Sequence, residues 1–341
     1  MRMARDRVLV TGVSGFIAKH VVLELLREDF DVRGTVRANS RAEEVRAVVR
    51  AHGGDAVRCE FVEADLGSQD GWSHAAEGCR YLLHTASPFP LVQPRRPEQL
   101  VELASRGTER VLRAASRAGV ERAVVTSSVA AVFYGHPRDR MRAFDESDFT
   151  NLASRSVSPY ARSKTVAERT AWDVARETGL SLSTINPGLV LGPVLDSRLG
   201  TSAQLIASMM KGRIPLLPDV AIPSVDVRDV ARAHVRAMLA LEAGRRFLLA
   251  APDTPSFLQL SAFLAEAFPD RRRRLPKHRL PSALIRLGAL VSPGAAMLAD
   301  DLGRSKRVDT SPARDVLGID FRSAREAVVA LGESLIRYRC V

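Results

Sequence analysis

The run Val8-Leu9-Val10-Thr11-Gly12-Val13-Ser14-Gly15-Phe16-Ile17-Ala18 decides how this chain is read. Its first four residues are a short, β-branched-rich apolar strand. Two glycines interrupt it, and beyond them Val21, Val22, Leu25 and Leu26 recur at helical spacing. A strand, a glycine turn and a helix in this order open a dinucleotide-binding βαβ unit. Gly12 permits the tight turn and Gly15 lets the backbone approach a pyrophosphate. The small Ala18 lets the helix pack on the sheet, and Phe16 and Ile17 open the helix whose N-terminal amides face the anion. The spacing is GxxGxxA rather than GxGxxG.

Outward from this turn the chain alternates between two periods. Strands are predicted over 32–36, 58–64, 81–85, 123–127 and 182–186. Helices are predicted over 16–28, 41–52, 97–118 and 159–178, with glycines following most of them. This alternation predicts right-handed crossovers and a parallel sheet. The fold class is therefore α/β: a Rossmann-type doubly wound parallel sheet with a smaller, mostly helical C-terminal lobe. After Gly188 the pattern loosens, and only 224–241 and 247–250 rejoin it. The expected division is 1–191 plus 224–251 as the cofactor-binding domain and 192–223 plus 252–341 as a discontinuous substrate-binding lobe.

The end of the second strand discriminates between cofactors. NAD-binding domains place an Asp or Glu there for the ribose hydroxyls. Here the sequence is Arg33-Gly34-Thr35-Val36-Arg37, with Ser40 and Arg41 beyond, and it supplies no acid. Arg37 offers a planar fork for a 2′-phosphate and Arg41 a second charge, which favours NADPH over NAD.

Chemistry is carried by Tyr160-Ala161-Arg162-Ser163-Lys164. Ser158 and Pro159 suit a helix start, so Tyr160 and Lys164 lie one turn apart on one face. A phenol of pKa near 10 is a slow acid at neutral pH, and an ammonium one turn away is expected to lower that pKa. Ser128 closes the strand Val124-Val125-Thr126-Ser127-Ser128, at the sheet edge where parallel sheets bind ligands, and the crossover can bring its hydroxyl beside the phenol.

With these motifs the chain resembles the extended short-chain dehydrogenase/reductases, and within them the dihydroflavonol reductase-like branch of NADPH aldehyde and ketone reductases. The likeness rests on residues 8–18, Thr35-Val36-Arg37, Ala64-Asp65-Leu66, the segment from Leu83 to Phe89, Val125 to Ser128, Tyr160 to Trp172, Ile185 to Pro193, and Val225 to Ala231. The resemblance implies that Ser128 holds the substrate carbonyl, Tyr160 gives its proton, and Lys164 tunes Tyr160 and binds the nicotinamide ribose. It implies Asp65 and Leu66 beside the adenine, and Thr85, Ala86, Ser87 and Thr126 along the cofactor. Pro187, Gly188 and Val190 would border the nicotinamide. Phe89, Val129, Phe133 and Met209 are candidates for the substrate pocket. The Asn-Trp-Tyr-Cys-Tyr-Gly-Lys signature of plant cinnamoyl-CoA reductases is absent, which disfavours a CoA thioester.

The expected reaction is NADPH-dependent reduction of an aldehyde or ketone. The same triad would serve a nucleotide-sugar epimerase or dehydratase retaining NAD, or a 3-hydroxysteroid-type dehydrogenase. A regulator that senses NADP or binds nucleic acid is the alternative outside enzymes. It is motivated by a net charge of +11, with 45 Arg and 5 Lys among 341 residues, and by the run Arg271-Arg272-Arg273-Arg274. Only 5% of residues are aromatic and no nucleic-acid motif occurs, so nucleic acid is not an expected partner. Three cysteines without a CxxC pair, Cys59, Cys79 and Cys340, point to a reducing cytoplasm without a disulfide framework. No metal site and no membrane span are expected, and the chain is read as a monomer or homodimer. His84 and His234 are read as structural, and His136 as a residue of a surface loop. Asp226 and Asp229 are read as capping or ion-pairing residues.

Overall fold

The computed structural model describes residues 5–88, 97–137, 139–154, 156–289, 298–299, 301–304 and 306–341. The first half lays down β1 (Arg7–Thr11), α1 (Phe16–Arg27), β2 (Asp31–Val36), α2 (Ser40–Ala51), β3 (Cys59–Glu63), α3 (Trp72–Ala76), β4 (Tyr81–His84), α4 (Pro97–Arg117) and β5 (Arg122–Thr126). Then follow α5 (Pro159–Thr178), β6 (Ser181–Pro187), β7 (Leu189–Leu191), α6 (Thr201–Met210), β8 (Leu216–Leu217), β9 (Ser224–Asp226), α7 (Val227–Leu239), β10 (Arg246–Leu249) and α8 (Phe257–Ala267). Two further helices, Ser311–Leu317 and Ala324–Arg337, close the chain.

Seven strands form one parallel sheet in the order β3-β2-β1-β4-β5-β6-β10. The order reverses between β1 and β4, which creates the crevice at the carboxyl edge where such sheets take ligands. Side chains alternate across the pleat. Val8 and Val10 of β1 face a layer holding Val21, Leu25 and Val230 of α1 and α7. Leu9 between them faces Leu112, Ala171 and Val174 of α4 and α5. Both faces are covered, which is why these strands read as near-continuous apolar runs.

The predicted strands and helices of the first half are present, with ends displaced by one or two residues as fraying helix turns allow. Helix α5 is framed by the signals in its sequence. Ser158 Oγ accepts from Ala161 N at 3.1 Å, Pro159 fills the first turn, and Gly179 closes the helix in the left-handed region at φ 74°. Several short elements escaped the sequence reading, α3 and β8 among them. Leu189–Leu191 and Ser224–Asp226 pair in a parallel two-stranded ladder beside the sheet. Three residues are too few to show a period. The lobe has its own core, in which Leu191, Ile206, Met210, Leu264, Val328 and Leu331 pack together. Among the described residues, no helix is long and apolar enough to cross a membrane.

Candidate active site

The turn after β1 is made of backbone. Gly12 has φ 66°, a conformation that side chains strain to adopt, and a β-carbon there would stand 3.1 Å from the Cα of Ala86. Gly12 N donates to Thr35 Oγ1 at 3.0 Å, and Gly15 N donates to the Gly12 carbonyl at 2.9 Å. Gly15 precedes α1 without a side-chain cap, and no carboxylate stands in the first helical turn. Amides left open at a helix start suit an anion. Phe16 and Ile17 are half-buried, and Phe16 leans toward the lobe core with its ring edge-on to His20. Ala18 is buried where the helix meets the sheet.

Thr11 locks this turn to the next strand. Its Oγ1 accepts from Ala86 N at 3.0 Å and shares a hydrogen bond with His84 Nδ1 at 2.8 Å, while its carbonyl accepts from Thr85 Oγ1. Thr85 and Ala86 therefore border the turn, and the half-buried Ser87 follows them in the chain. Burial drives the His84 imidazole down to about 3, with the Lys164 charge adding to the effect, so the ring is neutral at pH 7.

At the end of β2, Arg37 is exposed and pairs with no carboxylate among the described residues. Arg41 is engaged instead, 3.4 Å from Glu44, which also holds Arg198 at 2.6 Å. An acid does reach this turn, which the sequence reading missed. Glu63 at the end of β3 accepts from Asn39 N at 2.7 Å. Parallel pairing of β2 with β3 brings it there from 24 residues away. Asp65 is exposed and accepts from Gly67 N at 2.7 Å; Leu66 packs against α4, and its carbonyl accepts from Arg110.

The catalytic candidates meet at the carboxyl end of β5. Ser128 Oγ accepts from Ala130 N at 3.1 Å and lies close enough to the Tyr160 hydroxyl to oppose the rise in its pKa. Lys164 is buried one turn along α5, and its Nζ donates to the Thr126 carbonyl at 3.2 Å. Thr126 Oγ1 bonds His234 Nε2 at 2.7 Å. Burial lowers the Lys164 ammonium to about 8, against the opposing charge of Glu168. The expected fall in the Tyr160 pKa is not what this arrangement gives. Burial raises the phenol above its usual range, and Ser128 only opposes that rise. The phenol therefore keeps its proton at neutral pH.

At the end of β6, Pro187 is buried, and a β-carbon on Gly188 would collide with the Pro223 carbonyl. Val190 holds the start of α6 through a bond from Ser202 Oγ to its carbonyl, 2.6 Å. The pocket candidates separate. Val129 and Phe133 are buried beside Phe144 and Leu248, next to Ser128. Met209 is fully buried in the lobe core, so it is a packing residue rather than a pocket wall. Phe89 lies outside the described residues. A cavity of about 600 Å³ is lined by Phe149, Arg169, Trp172, Arg245 and Arg246, and none of Ser128, Tyr160 or Lys164 lines it.

His234 and the Asp226/Asp229 pair are structural, as their sequence context suggests. Asp226 caps α7 through Arg228 N at 2.8 Å, and Asp229 pairs with Arg322. His136 Nε2 donates to the Val132 and Phe149 carbonyls at 3.1 and 3.0 Å.

The sequence profile of the NAD dependent epimerase/dehydratase family matches residues 8–250. The chain belongs to this family. Within it, cinnamoyl-CoA reductase 1 of Arabidopsis thaliana is 37% identical over 249 residues, 72% of this chain and 71% of that protein. The NADPH-dependent methylglyoxal reductase GRE2 of Saccharomyces cerevisiae is 28% identical, over 97% of this chain and 98% of that protein. The crystal structure of yeast methylglyoxal/isovaleraldehyde reductase Gre2 complexed with NADPH superposes with a TM-score of 0.80 at 26% identity. It covers 98% of this chain and 99% of that one. These relatives place the chain on the extended, dihydroflavonol reductase-like branch of the family.

Proposed function

We propose that the protein is an NADPH-dependent reductase that converts an aldehyde or ketone to the alcohol. The observation that carries this reading is a proton-bearing phenol, Tyr160, beside the buried Ser128 and followed one turn later by a buried Lys164. A phenol that keeps its proton suits the reductive direction, in which the carbonyl oxygen must be protonated.

The Gly12 cradle, the uncapped start of α1 and the exposed, unpaired Arg37 suit the phosphates of NADPH. Bound NADPH would supply the hydride to the carbonyl carbon. The residues do the rest. Ser128 holds the carbonyl oxygen, Tyr160 Oη delivers its proton to that oxygen as the C–H bond forms, and the Lys164 ammonium stabilises the phenolate left behind. Asp65, Leu66, Thr85, Ala86, Ser87, Thr126, Pro187, Gly188 and Val190 would line the cofactor. Val129 and Phe133 would border the substrate. Residues 192–223 and 252–341 would form the substrate lobe.

The lobe bears on the substrate class. The likeness to the yeast methylglyoxal reductase runs through the lobe, whereas the match to cinnamoyl-CoA reductase 1 spans 72% of the chain. With the missing thioester-reductase signature, this supports a free aldehyde or ketone. The test is NADPH consumption over aliphatic and aromatic aldehydes, α-ketoesters, diketones and flavonoid-like ketones. Turnover of at least one class is expected; no consumption with any of them overturns the reading.

A further inference from the structure

Beneath Ser128 lies a connected set of buried polar side chains that proton transfer by Tyr160 does not use. At its centre is Glu168, four residues after Lys164 on α5 and 1% exposed. Its carboxylate accepts from Ser127 Oγ at 2.5 Å, Asn186 Nδ2 at 2.7 Å, Thr184 Oγ1 at 3.2 Å and Arg246 Nε at 2.5 Å. Donors from the end of β5, from β6 and from β10 thus converge on one helix side chain. Arg246 is fixed in turn. It donates to the Glu146 and Asp148 carbonyls at 2.7 and 2.6 Å and lies 3.6 Å from the centre of the Phe149 ring.

These bonds close on the catalytic strand end. Asn186 Nδ2 also donates to the Ser128 carbonyl at 3.3 Å, and Lys164 holds the Thr126 carbonyl. Thr126, Ser127 and Ser128 are each tied to α5 or to the Glu168 cluster. A buried ion pair is a poor device for stability alone, because apolar residues of similar volume do as well or better. A negative charge one turn from Lys164 has a second consequence, since it favours the ammonium.

We propose that Glu168, countered by Arg246, is a positioning residue for the reduction: it fixes the Thr126–Ser128 strand end against Tyr160 and keeps Lys164 charged beneath the substrate. This rests on the carbonyl-reductase reading. The groups that face Lys164 support the assignment. Tyr160 and Glu168 lie on its own helix, β5 presents the Thr126 carbonyl, and β4 presents His84, which burial keeps neutral. Among the described residues, Glu168 is the carboxylate acting on that lysine.

The test compares the full-length wild type with Glu168→Gln and with Glu168→Gln/Arg246→Met, each with NADPH and an aldehyde or ketone that the wild type reduces. Thermal unfolding and the pH profile of kcat are measured for all three. The single variant leaves Arg246 buried without its partner and loses stability. The double variant removes both charges and recovers it. If Glu168 acts on Lys164, the alkaline limb of kcat moves toward lower pH by about one unit in every variant that folds, the double included. A folded double variant with the wild-type profile and rate overturns the proposal and leaves Glu168 a packing residue. A wild type that reduces no carbonyl overturns the reading beneath it as well.

Discussion

The glycine turn after β1 and the Ser128–Tyr160–Lys164 cluster after β5 stand at the same edge of one sheet, with β4 between them, yet they are built from opposite materials. The turn is made of backbone and of space: Gly12 in the left-handed region, Gly15 before an uncapped helix, and Ala86 within van der Waals reach of any added atom. The cluster is made of side chains, with Ser128, Tyr160 and Lys164 resting on Glu168, Asn186 and Arg246. The turn is damaged by adding an atom, and the cluster by removing one. His84 joins the two regions, bonded to Thr11 on one side and close to the Lys164 charge on the other.

Substitutions sharpen this contrast. The largest effect is expected for Tyr160→Phe, which deletes one oxygen from the cluster. Turnover of a carbonyl substrate should fall by about 10²–10⁴-fold, with NADPH affinity retained. Turnover close to wild type would remove Tyr160 from the mechanism. Next comes Arg37→Ala, which should weaken NADPH binding by about 1.5–3 kcal/mol and leave NADH binding unchanged. Titration with both cofactors decides it, and equal effects on the two would place Arg37 away from the 2′-phosphate.

Gly12→Ala adds a single carbon to the turn. It should cost about 1–2 kcal/mol of stability through its φ alone, read by thermal unfolding without cofactor. A variant as stable as wild type would show that the turn tolerates an atom and would break the contrast. A smaller, graded effect is expected with pH. Burial lowers His20, His84 and His234 to about 4, 3 and 4, from an ordinary 6.5. The unfolded chain takes up these protons first as pH falls. The stability they confer is complete above pH 6.5 and is lost progressively between 6.5 and about 3. Unfolding midpoints that stay constant from pH 7 to pH 5 would contradict this. Least of all should follow from replacing Arg271 to Arg274 by Gln together. Arg272 and Arg273 are exposed, and stability should move by under about 0.5 kcal/mol per residue.

The two regions also differ in how far the sequence betrayed them. The turn was legible because backbone geometry demands particular residues at fixed spacing, so Gly12, Gly15 and Ala18 stand out in an eleven-residue window. Tyr160 and Lys164 were legible for the same reason, being one helical turn apart behind Ser158 and Pro159. The support beneath them was not. Glu168 continues the i, i+4 series from Lys164, and that spacing was the available signal. Arg246 lies 78 residues from Glu168 and meets it only because β10 pairs beside β6. Glu63 reached the Arg37 turn through a similar strand pairing. Met209 looked the same from sequence whether it lined a pocket or filled a core, because an apolar helix face serves both ends.

The position of β10 has a consequence for the order in which the protein is assembled. The chain completes β6, leaves the sheet to lay down α6 and the β7–β9 ladder, and returns only at Arg246. Until that residue is in place, Glu168 has no countercharge and the floor under Ser128 is open. A nascent chain cut short before β10 carries Ser128, Tyr160, Lys164 and Glu168 but not Arg246. The Glu168–Arg246 ion pair therefore closes late in synthesis, after α6 and the β7–β9 ladder have been made.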